Sequence, residues 1–230
     1  MKKITLITGA SSDIGIAIAK KLIPKDYFIC FNVKNQKYAR IINSNFKNYD
    51  NFYEIIIGNI LDKKFRNKLI TYIYKKYHKI DVLINNAAIT DKKNSKLLIK
   101  NFENVFNINF FSTLALILNL TRSGYPSNIK IIHISSNVVK TGSYNYPAYA
   151  SSKSAMNNLM LSLSKIFSKC KFYILNIGPT NTSKYRLNHN ITKIKKTNNL
   201  LQPNNIANKI YKILKNEYKS PSIFNYYIKK

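Results

Sequence analysis

Apolar runs of strand length, rich in β-branched and aromatic residues, alternate with helix-length segments along the chain. The runs are Lys2–Thr8, Tyr27–Asn32, Phe52–Gly58, Asp81–Ala87, Ile129–Ser136, Lys171–Gly178 and, last, Ser222–Ile228. Between them lie helical patterns over Ile14–Ile23, Tyr38–Asn43, Lys63–Tyr77, Phe102–Leu120, Pro147–Ser168 and Asn204–Leu214. Strands that are apolar on both faces must be covered on both, so the pattern predicts a parallel sheet between two helical layers. A chain of 230 residues suits one such domain, and neither a repeat nor a linker divides it. The expectation is a doubly wound α/β fold of about seven strands, one domain over residues 1–230. Ligands of open sheets of this kind bind beyond the carboxyl ends of the strands, so chemistry is sought just after each run.

The formal net charge is +29, which raises an acidic partner such as nucleic acid or a membrane surface. Yet Arg occurs only at Arg40, Arg66, Arg122 and Arg186, the lysines are dispersed, and Lys, Asn, Ile and Tyr abound throughout. That favours an A/T-rich coding sequence over a nucleic-acid arm built on planar guanidinium forks and leaves an acidic partner open. We therefore expect neither a nucleic-acid nor a membrane partner. Cys30 and Cys170 lie in apolar runs and read as reduced core thiols, and His78, His133 and His189 match no metal spacing. The apolar tract Phe110–Leu120 reads as too short and too polar to cross a bilayer, and a cytoplasmic location is expected.

Four stretches carry candidate chemistry. "TGASSDIG" (Thr8–Gly15) follows the first strand: Gly9 permits a tight turn, Gly15 lets the next helix pack closely, and free N–H groups at its start can face a pyrophosphate. Asp13 reads as that helix's N-cap, turned away from the phosphates, with Ser11 and Ser12 facing them. In "YNYPAYASSK", Tyr149 and Lys153 stand one helical turn apart, and an ammonium near a phenol stabilises the phenolate. Ser135 and Ser136 end the fifth strand, and Asn85 and Asn86 follow the fourth. Each alone has an ordinary reading, as a turn, a helix face or a strand end.

Together, in this order and spacing from Lys3 to Leu214, the four stretches resemble the short-chain dehydrogenase/reductase family, which implies a Rossmann-type fold. The resemblance implies that Gly9, Ser11, Ser12, Asp13, Ile14 and Gly15 hold a cofactor pyrophosphate, with Asn86 and Ala87 beside the adenosine ribose. It implies Ser136 rather than Ser135 as the catalytic serine, and Tyr149 and Lys153 as the Tyr-x-x-x-Lys pair. Asn109, with Asn107 as its rival, matches the helix asparagine that holds a water leading to Lys153. Tyr149 would then protonate a carbonyl oxygen during hydride transfer, Ser136 would orient that oxygen, and Lys153 would lower the Tyr149 pKa and bind the nicotinamide ribose.

Departures refine the expectation. Asn59, followed by Ile60, stands where the family carries an adenine-contacting aspartate, Ala88 replaces a glycine, and Ile177 replaces the proline before Gly178. Thr182 matches the threonine that contacts the nicotinamide amide. The second strand ends "FNVKNQK" without an acid, and Lys34 follows, which favours NADP(H) over NAD(H). The layout is similar to that of bacterial 3-oxoacyl-[acyl-carrier-protein] reductases, implying a carbonyl substrate carried on acyl carrier protein in fatty acid synthesis. A reductase of another ketone or sugar is the alternative, and a non-catalytic NADP-binding module a further one. The family also implies a homodimer or homotetramer through helices 101–121 and 147–168. The polar stretch from Ser183 to Gln202 reads as a mobile loop, a candidate substrate lid.

Overall fold

The computed structural model describes residues 2–91, 97–122, 128–189, 191 and 199–228. Strands β1 (Lys3–Thr8), β2 (Tyr27–Val33), β3 (Tyr53–Ile57), β4 (Val82–Asn85), β5 (Lys130–Ser136), β6 (Lys171–Ile177) and β7 (Ser222–Tyr226) form one sheet. Every pairing is parallel, and the strand order is β3-β2-β1-β4-β5-β6-β7. The expected seven-stranded, doubly wound, Rossmann-type sheet is therefore the fold observed.

Helices α1 (Asp13–Leu22), α2 (Gln36–Asn45), α3 (Lys63–Tyr77), α4 (Ile99–Phe106), α5 (Ser112–Arg122), α6 (Val138–Thr141), α7 (Pro147–Ile166), α8 (Ser183–Asn188) and α9 (Pro203–Lys215) accompany the strands. The period of two in β1 sends Leu6 and Ile7 to opposite faces, and both are fully buried. Ile7, Ile29 and Phe31 pack with Ile18 and Leu22 of α1, Ile42 of α2 and Ile210 of α9. On the other face, Leu6, Leu83, Ile131 and Phe172 meet Leu69 and Ile73 of α3, Ile117 and Leu120 of α5, and Met156 and Met160 of α7. Cys30 and Cys170 are both buried, as expected of core thiols, and burial pushes the Cys30 thiol up to about 12.

Two differences bear on the site. The single helix expected over Phe102–Leu120 is interrupted by a π turn, Asn107–Phe111, in which Ser112 N–H reaches back five residues to the Asn107 carbonyl. The extra residue rotates the helix face, leaving Asn107 exposed and Asn109 1% exposed. The helical run is also longer than the apolar tract suggested. Ile99–Thr121 spans 23 residues and is long and apolar enough to cross a membrane by length and composition. Leu116, Ile117 and Leu120 in it are buried against the sheet, which accounts for much of that apolarity.

The second difference is the stretch expected as a loop from Ser183. It opens with α8, capped by Thr182, whose Oγ1 accepts the Tyr185 N–H at 3.1 Å. Thr180 and Leu201 then pair as a short parallel bridge. The part of the expected lid at residues 190 and 192–198 lies outside the described residues.

Candidate active site

The strand order reverses between β1 and β4, and the crevice expected at such a switch point opens above their carboxyl ends. It is a cleft of about 1400 Å³. The glycine turn after β1 forms its floor. Gly9 has φ of +58°, in the left-handed region, and a Cβ there would lie 2.8 Å from the Ala87 Cα. A Cβ on Gly15 would lie 2.5 Å from the Ala10 carbonyl oxygen, so this residue sets the approach of α1 without lining the cleft. Asn86 braces the turn: its Nδ2 donates to the carbonyls of Thr8 at 3.0 Å and Gly9 at 2.8 Å, and to Ser12 Oγ at 3.1 Å.

The cap of α1 is Ser12, not Asp13. Ser12 Oγ accepts the Gly15 N–H at 3.1 Å, because Ser12 is the last extended residue and Asp13 is already helical. The Asp13 carboxylate instead leaves its own helix and accepts from the Ser183 N–H at 2.7 Å and the Ser183 hydroxyl at 3.3 Å. It thus serves the N-terminus of α8 and joins the two sides of the cleft. Asp13 and Ile14 open α1, so their N–H groups have no carbonyl four residues back within the helix.

Across the cleft, β5 ends on Ser135 and Ser136, and α7 presents Tyr149 and Lys153. The Ser136 hydroxyl stands close enough to the Tyr149 phenol to lower its pKa, and it donates to Asn137 Oδ1 at 3.4 Å. Ser135 is buried at 1%, and its hydroxyl has no partner among the described residues. Lys153 is 2% exposed; its Nζ donates to the Ile134 carbonyl at 2.7 Å and lies 5.8 Å from the centre of the Tyr149 ring. Burial raises the Tyr149 phenol to about 12, outweighing the neighbouring Ser136 side chain, which acts to lower it. Burial also brings Lys153 down to about 7, helped by the charge of Lys184. The phenol thus differs from the expectation that Lys153 lowers its pKa, because the ammonium is turned to Ile134 and burial dominates.

Of the remaining expected residues, Ser11, Ser12, Asp13, Ile14, Lys34, Asn59, Ile60, Asn86, Ala87, Gly178 and Thr182 all line this cleft. Asn59 Oδ1 accepts the Leu61 N–H at 3.1 Å, closing its own turn. Asn109 stands behind the cleft wall, with Oδ1 and Nδ2 paired to the N–H and carbonyl of Ile89, both at 2.9 Å. Its Nδ2 also donates to Ser152 Oγ at 3.0 Å.

Sequence reasoning missed Asp91, Lys184, Tyr146, Tyr185 and His189. Tyr185 and His189 line the cleft and stack at 4.0 Å, with Tyr146 6.2 Å from His189. Their alignment on one wall depends on α8, whose helical form was not foreseen. The residues present fit a dinucleotide: helix N–H groups without an intrahelical acceptor at the floor, the Ser135 hydroxyl and Tyr146 phenol, without a partner among the described residues, on the walls, and Lys20, Lys34, Lys153 and Lys184 around the lining. Among the described residues no group of His, Cys, Asp and Glu could hold a metal ion.

A family model described as "short chain dehydrogenase" matches residues 3–195. The 3-oxoacyl-[acyl-carrier-protein] reductase of Aquifex aeolicus is 29% identical over 166 residues, covering 71% of this chain and 67% of the relative. That of Buchnera aphidicola subsp. Acyrthosiphon pisum is 32% identical over 162 residues, covering 67% and 63%. A fatty acyl-CoA reductase of Acinetobacter baylyi is 28% identical over 179 residues, and the match spans 76% of this chain but only 61% of that protein. Among solved structures, ElxO with NADP bound superposes with a TM-score of 0.81 at 22% identity, covering 99% of this chain and 96% of that one. A variant of the actinorhodin polyketide ketoreductase with NADPH gives 0.83 at 16% identity, covering 97% and 95%. At those identities the superpositions speak to the fold.

Proposed function

This chain belongs to the short-chain dehydrogenase family, NAD(P)-dependent oxidoreductases acting on alcohol and carbonyl groups, and we propose that it is an NADPH-dependent carbonyl reductase. The observation that carries this is the meeting of Ser136, Tyr149 and Lys153 in the cleft beyond β1 and β4, with Lys153 Nζ 5.8 Å from the Tyr149 ring centre. The glycine turn and the start of α1 would hold the pyrophosphate, and Lys34, with no acid at the end of β2, would favour the additional phosphate of NADP. The bound cofactor supplies the hydride.

The protein's part is position and proton. With its phenol pushed up to about 12, Tyr149 is fully protonated near neutral pH and ready to donate to a carbonyl oxygen. Ser136 hydrogen-bonds the same oxygen as charge develops on it. As Tyr149 loses its proton, the phenolate favours the charged form of Lys153, whose depressed value of about 7 lets it change protonation near neutrality. In this reading Asn109 acts through the peptide groups it pairs with.

The substrate reading is a 3-oxoacyl thioester carried on acyl carrier protein, in fatty acid synthesis. It is supported by the two 3-oxoacyl-[acyl-carrier-protein] reductases among the relatives. A net charge of +29 suits an acidic carrier. Residues 1–230 would work as one cytoplasmic, nicotinamide-binding unit. Phe111 and Ile166, 55% and 67% exposed on the long helices, suit self-association as a dimer or tetramer. The test is initial-rate oxidation of NADPH and NADH against a carbonyl panel that includes a 3-oxoacyl thioester, a sugar ketone and an aryl ketone. The reading predicts turnover with NADPH and the thioester; no turnover of any carbonyl would reject it.

A further inference from the structure

Asp91 closes the short segment that follows β4, and its carboxylate is 8% exposed. A charge removed from water in this way needs donors, and it finds them 57 and 58 residues further along the chain. Oδ2 accepts the Ala148 N–H at 3.1 Å, and Oδ1 accepts the Tyr149 N–H at 3.2 Å. These are the first N–H groups that α7 offers, because Pro147 has none and Tyr146, at the cap position, supplies no side-chain bond. A carboxylate from a distant loop therefore caps the helix that carries the phenol.

The carbonyl of Tyr149 is held as well. Ser152 Oγ donates to it at 2.8 Å, and that hydroxyl accepts from Asn109 Nδ2 at 3.0 Å. The Asn109 amide in turn pairs with both peptide groups of Ile89. Both peptide groups of Tyr149 are thus tied, directly or through Asn109 and Ser152, to the three residues Ile89–Asp91. We propose that Asp91 is a positioning residue for Tyr149, fixing the start of α7 so that the phenol stays beside Ser136 and over the reacting oxygen. This rests on the reductase reading above. Displacing a reacting group by about 1 Å can cost about a hundredfold in rate, so such a strap acts on turnover more than on binding.

The test compares Asp91→Ala and Asp91→Asn with Asp62→Ala. Asp62 does not itself line the cleft; it caps α3, where its Oδ1 accepts the Lys64 N–H at 2.8 Å, so this variant reports a lost cap with no hydrogen-bond route to Tyr149. Turnover is normalised to cofactor-binding sites counted by NADPH fluorescence. Asp91→Ala is expected to lower kcat about 10- to 100-fold with KM and NADPH affinity unchanged. Asp91→Asn, which keeps one acceptor, should fall between it and the wild type, and Asp62→Ala should keep its kcat. A kcat for Asp91→Ala equal to that of Asp62→Ala overturns the proposal, as does a loss confined to KM. If the wild type reduces no carbonyl, the reductase reading fails separately. Amide exchange at Ala148 and Tyr149 then judges the strap: acceleration in Asp91→Ala supports it, and unchanged protection overturns it.

Discussion

The Asp13 carboxylate, set in the glycine turn after β1, accepts the backbone N–H of Ser183 at 2.7 Å from 170 residues away. A side chain that local rules assign to its own helix is spent on the first residue of α8, across the cleft. The bond ties the phosphate-side floor to the wall that carries Lys184, Tyr185 and His189.

Replacing Asp13 by Ala should therefore loosen α8 while leaving α1 capped by Ser12. The expected stability loss is about 1 kcal/mol, that of one charge-assisted bond at a partly solvated site. Tryptic cleavage after Lys184 and Arg186 should accelerate, and Asp13→Asn, which keeps an acceptor, should restore part of the protection. Equal cleavage rates in all three proteins would show that the contact does not hold α8.

At Gly9, an Ala side chain would be forced to φ near +58° with its Cβ 2.8 Å from the Ala87 Cα. Gly9→Ala should cost about 1–3 kcal/mol by urea unfolding and should weaken cofactor binding, since relief requires moving the turn away from Ala87. A variant as stable as the wild type with full cofactor affinity would contradict the close approach.

Much of this molecule was legible in its sequence, and the reason is locality. Lys63–Tyr77 was read to both ends because Asp62 caps it and its apolar period is unbroken. The strands were read because β-branched runs buried on both faces leave few other solutions. The switch-point cleft followed from the alternation, and Ser136, Tyr149 and Lys153, whose roles only the family resemblance implies, line it together. What escaped depends on partners far away in sequence. Ser12, the last extended residue, caps α1, while the Asp13 carboxylate serves Ser183, 170 residues on. The π turn that rotates Asn109 inward leaves no periodic trace in so apolar a segment. Asp91 was unremarked because its partners, Ala148 and Tyr149, are joined to it only by the fold.

Lys34 lines the cleft at the end of β2, where no carboxylate competes for a cofactor. Lys34→Ala should weaken NADPH binding about five- to tenfold and leave NADH binding unchanged, read by fluorescence titration of each. Equal losses for both would remove the basis for NADP preference.

Lys153 gives a pH signature. Its ammonium is ordinarily lost near 10.5, and burial together with Lys184 brings this down to about 7 in the folded protein. Between those values the unfolded chain binds the extra proton, so this residue makes stability rise with pH by about 1.4 kcal/mol per unit. Below about pH 7 the buried charge is carried in full; above about 10.5 the contribution levels off. Lys153→Met removes the group, so the stability of wild type minus variant should climb between about pH 7.5 and 10 and be flat below about 6.5. Parallel curves across that range would contradict the depressed value.

The central claim is that the Tyr149 phenol delivers the proton to a carbonyl oxygen. Its most direct test is single-turnover oxidation of bound NADPH by a carbonyl substrate in wild type and Tyr149→Phe, with NADPH affinity measured on the same samples. Removing one hydroxyl group should slow the step about 100- to 10,000-fold while NADPH affinity stays within about twofold. A Tyr149→Phe protein that turns over at the wild-type rate would contradict it.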